Sequence, residues 1–337
     1  MNNYSWRGLM IDTARHMPSV EYLKETLARM SQLGLTTLHL HLSDDQGFRF
    51  ESKVFPNLNI IGSYRRETVV GKNFPSKWNG DVKYVGDGIR YGGYYSQSDL
   101  KALVQYATES GIDIVPEIDV PGHATAILAA YPEFSENEPP KETATCWGIF
   151  SNVMKNSKES IHFLVTLLDE VMTIFPSQYI HLGGDEVPHG SYKSSPNDEK
   201  DILLALARHV RGKGRVPVFW DEASDVALET DGIIMNWRKI EYGIQHLNKG
   251  GSVVFCPNTY FYLDYYQKDP ESEPLAIGGY LPIEVVSSFT LGHDILTKYG
   301  NQIYGIQANL WTEYMPTEQS MNYMLYPRLE AFARLKP

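Results

Sequence analysis

The stretch YIHLGGDEVP, residues 179–188, decides how this chain is read. A short apolar run of buried-strand length stops at two glycines and delivers adjacent carboxylates, Asp185 and Glu186, just before Pro188. Side by side in water, two carboxylates only repel. At a strand end in a partly dry pocket their surroundings can differ, so one stays ionised while the other keeps a proton to donate.

The pattern recurs on either side of this stretch. β-type runs cover residues 8–12, 36–43, 112–118, 179–182, 216–220, 232–237, 252–255 and 303–308. Between them, apolar residues fall at helical spacing: Val20, Leu23, Leu27, Met30 and Leu33 before Gly34; Leu100, Leu103, Val104 and Ala107 before Gly111; Ile161, Leu164, Val165, Leu168, Val171 and Met172. Strands alternating with helices, without repeat, linker or low-complexity segment, predict the α/β class and a single (β/α)8 TIM barrel over residues 1–337. The long connections, residues 46–96 and 121–157, leave strand C-termini, the face on which such barrels build their sites. Pro116 falls inside the third strand and requires a place where its missing N–H faces no ladder partner.

Composition removes several function classes. With 42% hydrophobic residues in 337, the chain can bury one large core. A net charge of −11, with no basic run interleaved with aromatics, argues against nucleic acid or an anionic membrane as partner. A neutral or cationic substrate fits better, and the 22 Tyr and 6 Trp supply flat platforms on which sugars stack. Cys146 and Cys256 form neither a disulfide framework nor a metal spacing, so each reads as a small hydrophobe. No export signal and no membrane-spanning run is visible, so the expected location is the cytoplasm as the chain stands, or the periplasm or exterior if a leader has been trimmed.

Polar and aromatic residues gather where the strand runs stop. The successive ends carry Asp12 and Arg15; Asp44 and Asp45; Glu117, Asp119 and His123; Asp185 and Glu186; Trp220, Asp221 and Glu222; Asn236 and Trp237; Tyr260, Tyr262 and Asp264; Asn309, Trp311 and Glu313. His39-Leu-His41 resembles a two-histidine metal pattern, but the fifth and sixth strands offer Trp220 and Trp237 where another ligand is wanted, so no metal is expected. His39 and His41 then read as inward-facing, hydrogen-bonded barrel residues. No Gly-x-Ser-x-Gly elbow or phosphate loop is present. Carboxylate chemistry between aromatic walls remains, and glycoside hydrolysis is the reaction class that most needs both.

The segment HLGGDE, residues 181–186, resembles the H-x-G-G-D-E signature of glycoside hydrolase family 20, the β-N-acetylhexosaminidases. The resemblance extends through DTARH at 12–16, HLHLSDDQG at 39–47, PEIDVPGH at 116–123, FYLD at 261–264 and LWTE at 310–313. It implies a retaining exo-hydrolase acting on terminal β-linked GlcNAc or GalNAc, without cofactor. The substrate's own 2-acetamido oxygen attacks the anomeric carbon and forms an oxazolinium. By resemblance Glu186 is the general acid and then the base, Asp185 orients the acetamido N–H, and Tyr262 hydrogen-bonds the acetamido carbonyl. Trp220, Trp237 and Trp311 wall the pocket, Arg15, Glu313 and Asp264 bind sugar hydroxyls, and Asp44 with His123 supports the acid. Asp45, Asp119 and Asp221 are left as structural.

Each residue also has a plainer reading: Arg15 as an ion-pair partner of Asp12, Asp44 as a cap, Trp237 as barrel filler. A disaccharide-releasing relative of the lacto-N-biosidase type and a catalytically inactive sugar-binding barrel are the alternatives. Many family members carry a domain before the barrel. Here the first strand begins near residue 6, so no accessory N-terminal domain is expected and the barrel stands alone or as a homo-oligomer. The closing helix, from about Thr317, is expected to be short, and residues 189–196 lack the Trp that some relatives carry near the acid.

Overall fold

The computed structural model describes residues 4–77, 79–193 and 195–336. Eight strands, β1 (Trp6–Asp12), β2 (Thr37–His41), β3 (Asp113–Glu117), β4 (Tyr179–His181), β5 (Val216–Trp220), β6 (Ile233–Asn236), β7 (Ser252–Phe255) and β8 (Ile303–Leu310), close into a parallel barrel. Each lies beside its neighbours in sequence, and β1 closes the ring on β8 in the register Trp6↔Gly305 to Ile11↔Leu310. This is the (β/α)8 architecture that the alternation predicts.

Alternation along β2 shows how the interior is filled. Leu38 and Leu40 join the core packed beneath the helices, while His39 and His41 lie in the buried interior with Glu117 of β3 and His181 of β4. Elsewhere the interior is apolar, with Trp6, Val115, Val218, Met235, Val254 and the free thiol Cys256. Pro116 fits because β3 and β4 pair only from Glu117↔His181 onward, continued by Ile118 N–H to the His181 carbonyl at 3.2 Å. Its missing N–H falls before that ladder starts.

Helix α1 (Val20–Gln32) begins at Ser19, whose hydroxyl accepts from Tyr22 N–H, and α2 (Gln97–Glu109) begins at a capping box between Ser96 and Asp99. In α3 (Lys158–Ile174) the buried stripe runs through Phe163, Leu164, Leu167, Leu168 and Val171. Ile161, Val165 and Met172 flank it, half-buried, so the expected face is rotated by part of a turn. The closing helix is two pieces, α4 (Glu318–Leu325) and α5 (Arg328–Ala333), because Pro327 cannot continue the first. No helix among the described residues is long and apolar enough to cross a membrane.

Two buried arginines anchor the loops that build the upper face. Arg49 donates to the carbonyls of Thr13, Ala14, Ser63 and Gly93, tying the connection after β1 to the long loop after β2. Arg328 donates to the carbonyls of Leu263, Tyr265, Leu281 and Met324, which fixes the loop after β7 against the last helices. Both guanidiniums are fully buried, and burial lowers the pKa of Arg328 to about 10. Arg328→Leu should strand those carbonyls and lower stability by about 3 kcal/mol, read from guanidinium chloride unfolding midpoints. An unchanged midpoint would show that the loop holds itself.

Candidate active site

The strand C-termini and their loops surround a cavity of about 460 Å³. Arg15, Asp44, His123, Asp185, Glu186, Trp237, Tyr262, Asp264, Trp311 and Glu313 all line it. Trp220 does not, which corrects its expected place in the pocket wall. As the last residue of β5 it sits one layer lower, 1% exposed, with its Nε1–H donated to Glu117 Oε1 at 2.8 Å and its ring 5.8 Å from that of Trp311.

The turn after β4 is built on backbone that side chains rarely adopt. Gly183 has φ +72°, and a Cβ there would fall 1.7 Å from Asp119 Oδ1, so only glycine lets the chain cross that carboxyl. Glu186 itself has φ +49° and His123, facing it from the loop after β3, has φ +46°. For non-glycine residues such conformations cost about 1 kcal/mol or more each and are held by surrounding structure.

Charge is distributed unevenly across the acids. Burial pushes Asp185 up from 3.8 to about 6, opposed by His123 and assisted by the negative charge of Glu186. His123 Nδ1 lies 2.9 Å from Asp45 Oδ2 and 3.2 Å from Asp44 Oδ1, and its Nε2 lies 3.6 Å from Glu186 Oε2 and 3.9 Å from Asp185 Oδ2. Burial works against its charge, but Asp44, Asp45 and Glu186 together raise it well above the ordinary histidine range, so the ring is an imidazolium. Asp45 therefore holds the histidine that faces the acid, and its other oxygen accepts from Thr125 N–H and hydroxyl. The sequence signal for this was its adjacency to Asp44. Asp119, under the Gly183 turn, is raised well above the ordinary carboxylate value by burial and by the negative charge of Asp185.

Arg15 is more than a partner of Asp12. Its guanidinium reaches Asp44 Oδ2 at 2.8 Å and Asp12 Oδ2 at 3.4 Å, donates from Nε to Gln46 Oε1 at 2.7 Å, and lies 5.3 Å from the Trp311 ring centroid. Trp237 stacks on Tyr262 at 6.0 Å and 20°, and its Nε1–H donates to Glu222 Oε2 at 3.0 Å. Burial, with Asp185 and Asp221 nearby, pushes Glu222 up to about 9, so this partner is an uncharged carboxyl. Tyr262 is held in line with β8, with Leu263 N–H bonded to the Asn309 carbonyl at 2.8 Å. The outer wall comes from Lys72, Phe74, Trp147 and Tyr314, which sequence reasoning did not single out; the length of the two loops carrying the first three was the available sign.

Three cavity-lining acids each keep one buried oxygen without a hydrogen-bond partner: Asp185 Oδ1, Asp264 Oδ1 and Glu313 Oε2. Burial holds Asp264 well above the carboxylate range and Glu313 at about 7, the latter against the pull of Arg15. Buried polar atoms are normally paired, so orphans gathered on one cavity are acceptors and donors waiting for a polar ligand. His39, Glu117 and His181 also place three potential metal ligands within 4.8 Å of one another. That donor set is already engaged with itself, since Glu117 accepts from Trp220 and His41 while His39 Nδ1 faces Gln307 Nε2 at 3.2 Å.

Comparison with known proteins supplies the remaining observation. The model of glycosyl hydrolase family 20, catalytic domain, matches residues 4–335. A beta-hexosaminidase of Porphyromonas gingivalis is 35% identical over 98% of this chain and 43% of that protein, and a beta-hexosaminidase of Akkermansia muciniphila is 30% identical over 98% and 68%. The crystal structure of an exo beta-N-acetylglucosaminidase from Vibrio harveyi in complex with N-acetylglucosamine superposes with a TM-score of 0.81 at 30% identity, over 98% of this chain and 54% of that one. The chain spans about half the length of the first two curated relatives it matches.

Asp185 has a higher pKa folded than unfolded, so its contribution to stability is complete below about 3.8 and is lost as pH rises through about 6. Asp185→Asn should therefore stabilise the fold at pH 8 by about 1–2 kcal/mol and do nothing at pH 3.5. Urea midpoints at the two pH values read this, and a destabilised variant at pH 8 would contradict it.

Proposed function

Because the chain belongs to glycosyl hydrolase family 20, we propose that its cavity removes terminal β-linked N-acetylhexosamines from the non-reducing ends of glycans, with retention of configuration. The observation that carries this reading is the set of orphaned oxygens on Asp185, Asp264 and Glu313, arranged on one cavity with Glu186 reaching into the open space. A sugar bearing hydroxyls and an amide matches them.

In this reading Asp185 Oδ1 accepts the acetamido N–H and Tyr262 donates its hydroxyl to the acetamido carbonyl. The stacked pair of Trp237 and Tyr262, with Trp311 beside them, confines the acetamido group against the anomeric carbon. That orientation makes a weak amide oxygen a competent nucleophile. As the oxygen attacks, the bond to the leaving group breaks and Glu186 protonates the departing oxygen. The positive charge developing on the oxazolinium falls beside ionised Asp185. Glu186, now a carboxylate, removes a proton from water as that water attacks the anomeric carbon and reopens the ring. Arg15, Asp264 and Glu313 bind hydroxyls of the same sugar, while His123 and Asp44 set the charge around the acid.

Side-by-side assays of the 4-nitrophenyl β-glycosides of GlcNAc and glucose test the reading: only the acetamido sugar should turn over, and cleavage of the glucoside would exclude participation of the substrate. Glu186→Gln should slow a substrate with a poor leaving group about 100-fold or more while leaving an activated aryl glycoside much less affected. Equal losses would remove Glu186 from the acid's role. Since Asp185 must be ionised and titrates at about 6, kcat/KM should fall on the acid side as pH drops through about 6. That limb should vanish in Asp185→Asn.

A further inference from the structure

Beneath the cavity, outside the residues that line it, His41 stands between two acids. Its Nδ1 is 2.5 Å from Glu117 Oε2 and its Nε2 is 2.8 Å from Asp44 Oδ2. A neutral imidazole has one donor nitrogen and one acceptor, so it would turn a lone pair toward one of these carboxylates. Neither acid relieves that clash by carrying the proton. Asp44 also accepts from Arg15 at 2.8 Å and from Asp45 N–H at 2.7 Å, and Glu117 accepts from Trp220 Nε1–H at 2.8 Å and faces His39 Nε2 at 3.0 Å. These donors hold both acids ionised, against one contrary contact of Glu117, the His181 Nδ1 at 3.0 Å that accepts from Gly183 N–H, and the doubly protonated ring is the form that satisfies all three groups.

We propose that His41, held as a buried imidazolium between Glu117 and Asp44, is a positioning residue that fixes the charge of Asp44 and, through His123, the proton affinity of Glu186. The proposal rests on the hydrolase reading and extends the charged line two groups below the Asp44–His123 pair. By sequence alone His41 is an inward-facing, hydrogen-bonded barrel residue.

The environment on every side is consistent with this role. His41 and Glu117 have no exposed side-chain surface. Trp311, which lines the cavity, presents an edge-on contact to His41 with centroids 4.9 Å apart, so the histidine is not one of the groups that meet substrate. From β2 itself comes His39, from β3 Glu117 and just after it Asp119, whose carboxyl lies within 4.8 Å of His41, from β4 His181 across Glu117, from the loop after β2 Asp44, and beyond it Arg15, Asp12 and His123. Burial disfavours charge on His41, yet Glu117 and Asp44 outweigh it and raise the ring well above the ordinary histidine range. Its neighbour His39, which lacks a second carboxylate and faces Gln307 instead, is lowered by burial to about 4 and is neutral. One ring layer thus holds a charged and an uncharged histidine.

His41→Gln keeps one hydrogen bond and removes the positive charge, which makes the potential at Glu186 more negative. Its proton is then held to higher pH. The basic limb of kcat/KM against pH for the GlcNAc aryl glycoside should move up by roughly half a unit or more, with kcat down about tenfold and KM changed by less than about threefold. The double variant His41→Gln/Glu117→Gln removes the pair together, and the limb should return toward its wild-type position even though activity stays reduced. A merely structural role lowers the amplitude without moving the limb.

Ring-¹⁵N spectra of histidine-labelled wild-type protein read the charge directly and need no active variant. Both nitrogens of His41 should show imidazolium shifts at pH 8, assigned by their loss in His41→Gln or, should that variant not fold, by through-bond and through-space correlations. A neutral His41, or an unmoved or lowered limb in an active His41→Gln, overturns the inference and leaves the hydrolase reading standing. An inactive wild type overturns the hydrolase reading, and with it any catalytic role for His41, whatever the spectra show.

Discussion

Asp44 is a buried carboxylate that accepts from Arg15, His41, His123 and the Asp45 N–H, groups delivered by β2 and by the loops after β1, β2 and β3. An ionised group without such partners would cost several kcal/mol to bury. With them it is the node that gathers Arg15, His41 and His123 beside the cavity acids Asp185 and Glu186. Withdraw it, and Arg15 and two histidine rings face each other across a dry gap. The short pairing of Ser43–Asp44 with Gly47–Phe48, and the Arg49 bonds to the carbonyls of Thr13 and Ala14, can be understood as the scaffolding that keeps this node in place.

Much of this was legible beforehand because the information is local. Strand positions follow from apolar runs, and the identities at strand ends follow from where those runs stop, so the barrel and the strand-end part of the cavity lining could be read from the chain, while the loop-borne outer wall could not. Trp220 shows the limit. It and Trp237 both close an apolar run in the sequence, yet Trp237 follows the last residue of β6 and lines the cavity while Trp220, paired with Met235, lies a layer below and donates to Glu117. That difference depends on strand stagger around the closed barrel, which is a property of all eight strands and of no single segment.

Asp45, Glu222 and His41 were illegible for a related reason. Each meets its partner only across the fold: Asp45 meets His123, Glu222 meets Trp237, and His41 meets Glu117. A polar residue at a rim position can be recognised by type and place, but a residue that supports it is recognisable only when the fold has brought the pair together. The break at Pro327 places Arg328 at the start of the last helix, from which its guanidinium fastens the loop that carries Tyr262 and Asp264.

The left-handed backbone at His123 and Glu186 sets a limit on what either position can hold. Two side chains that face each other at 3.6 Å are held there by conformations that glycine adopts without strain and these residues do not. Only glycine would ease the chain at either position, and it would take away the side chain that faces the cavity, so backbone comfort and side-chain placement cannot both be had there.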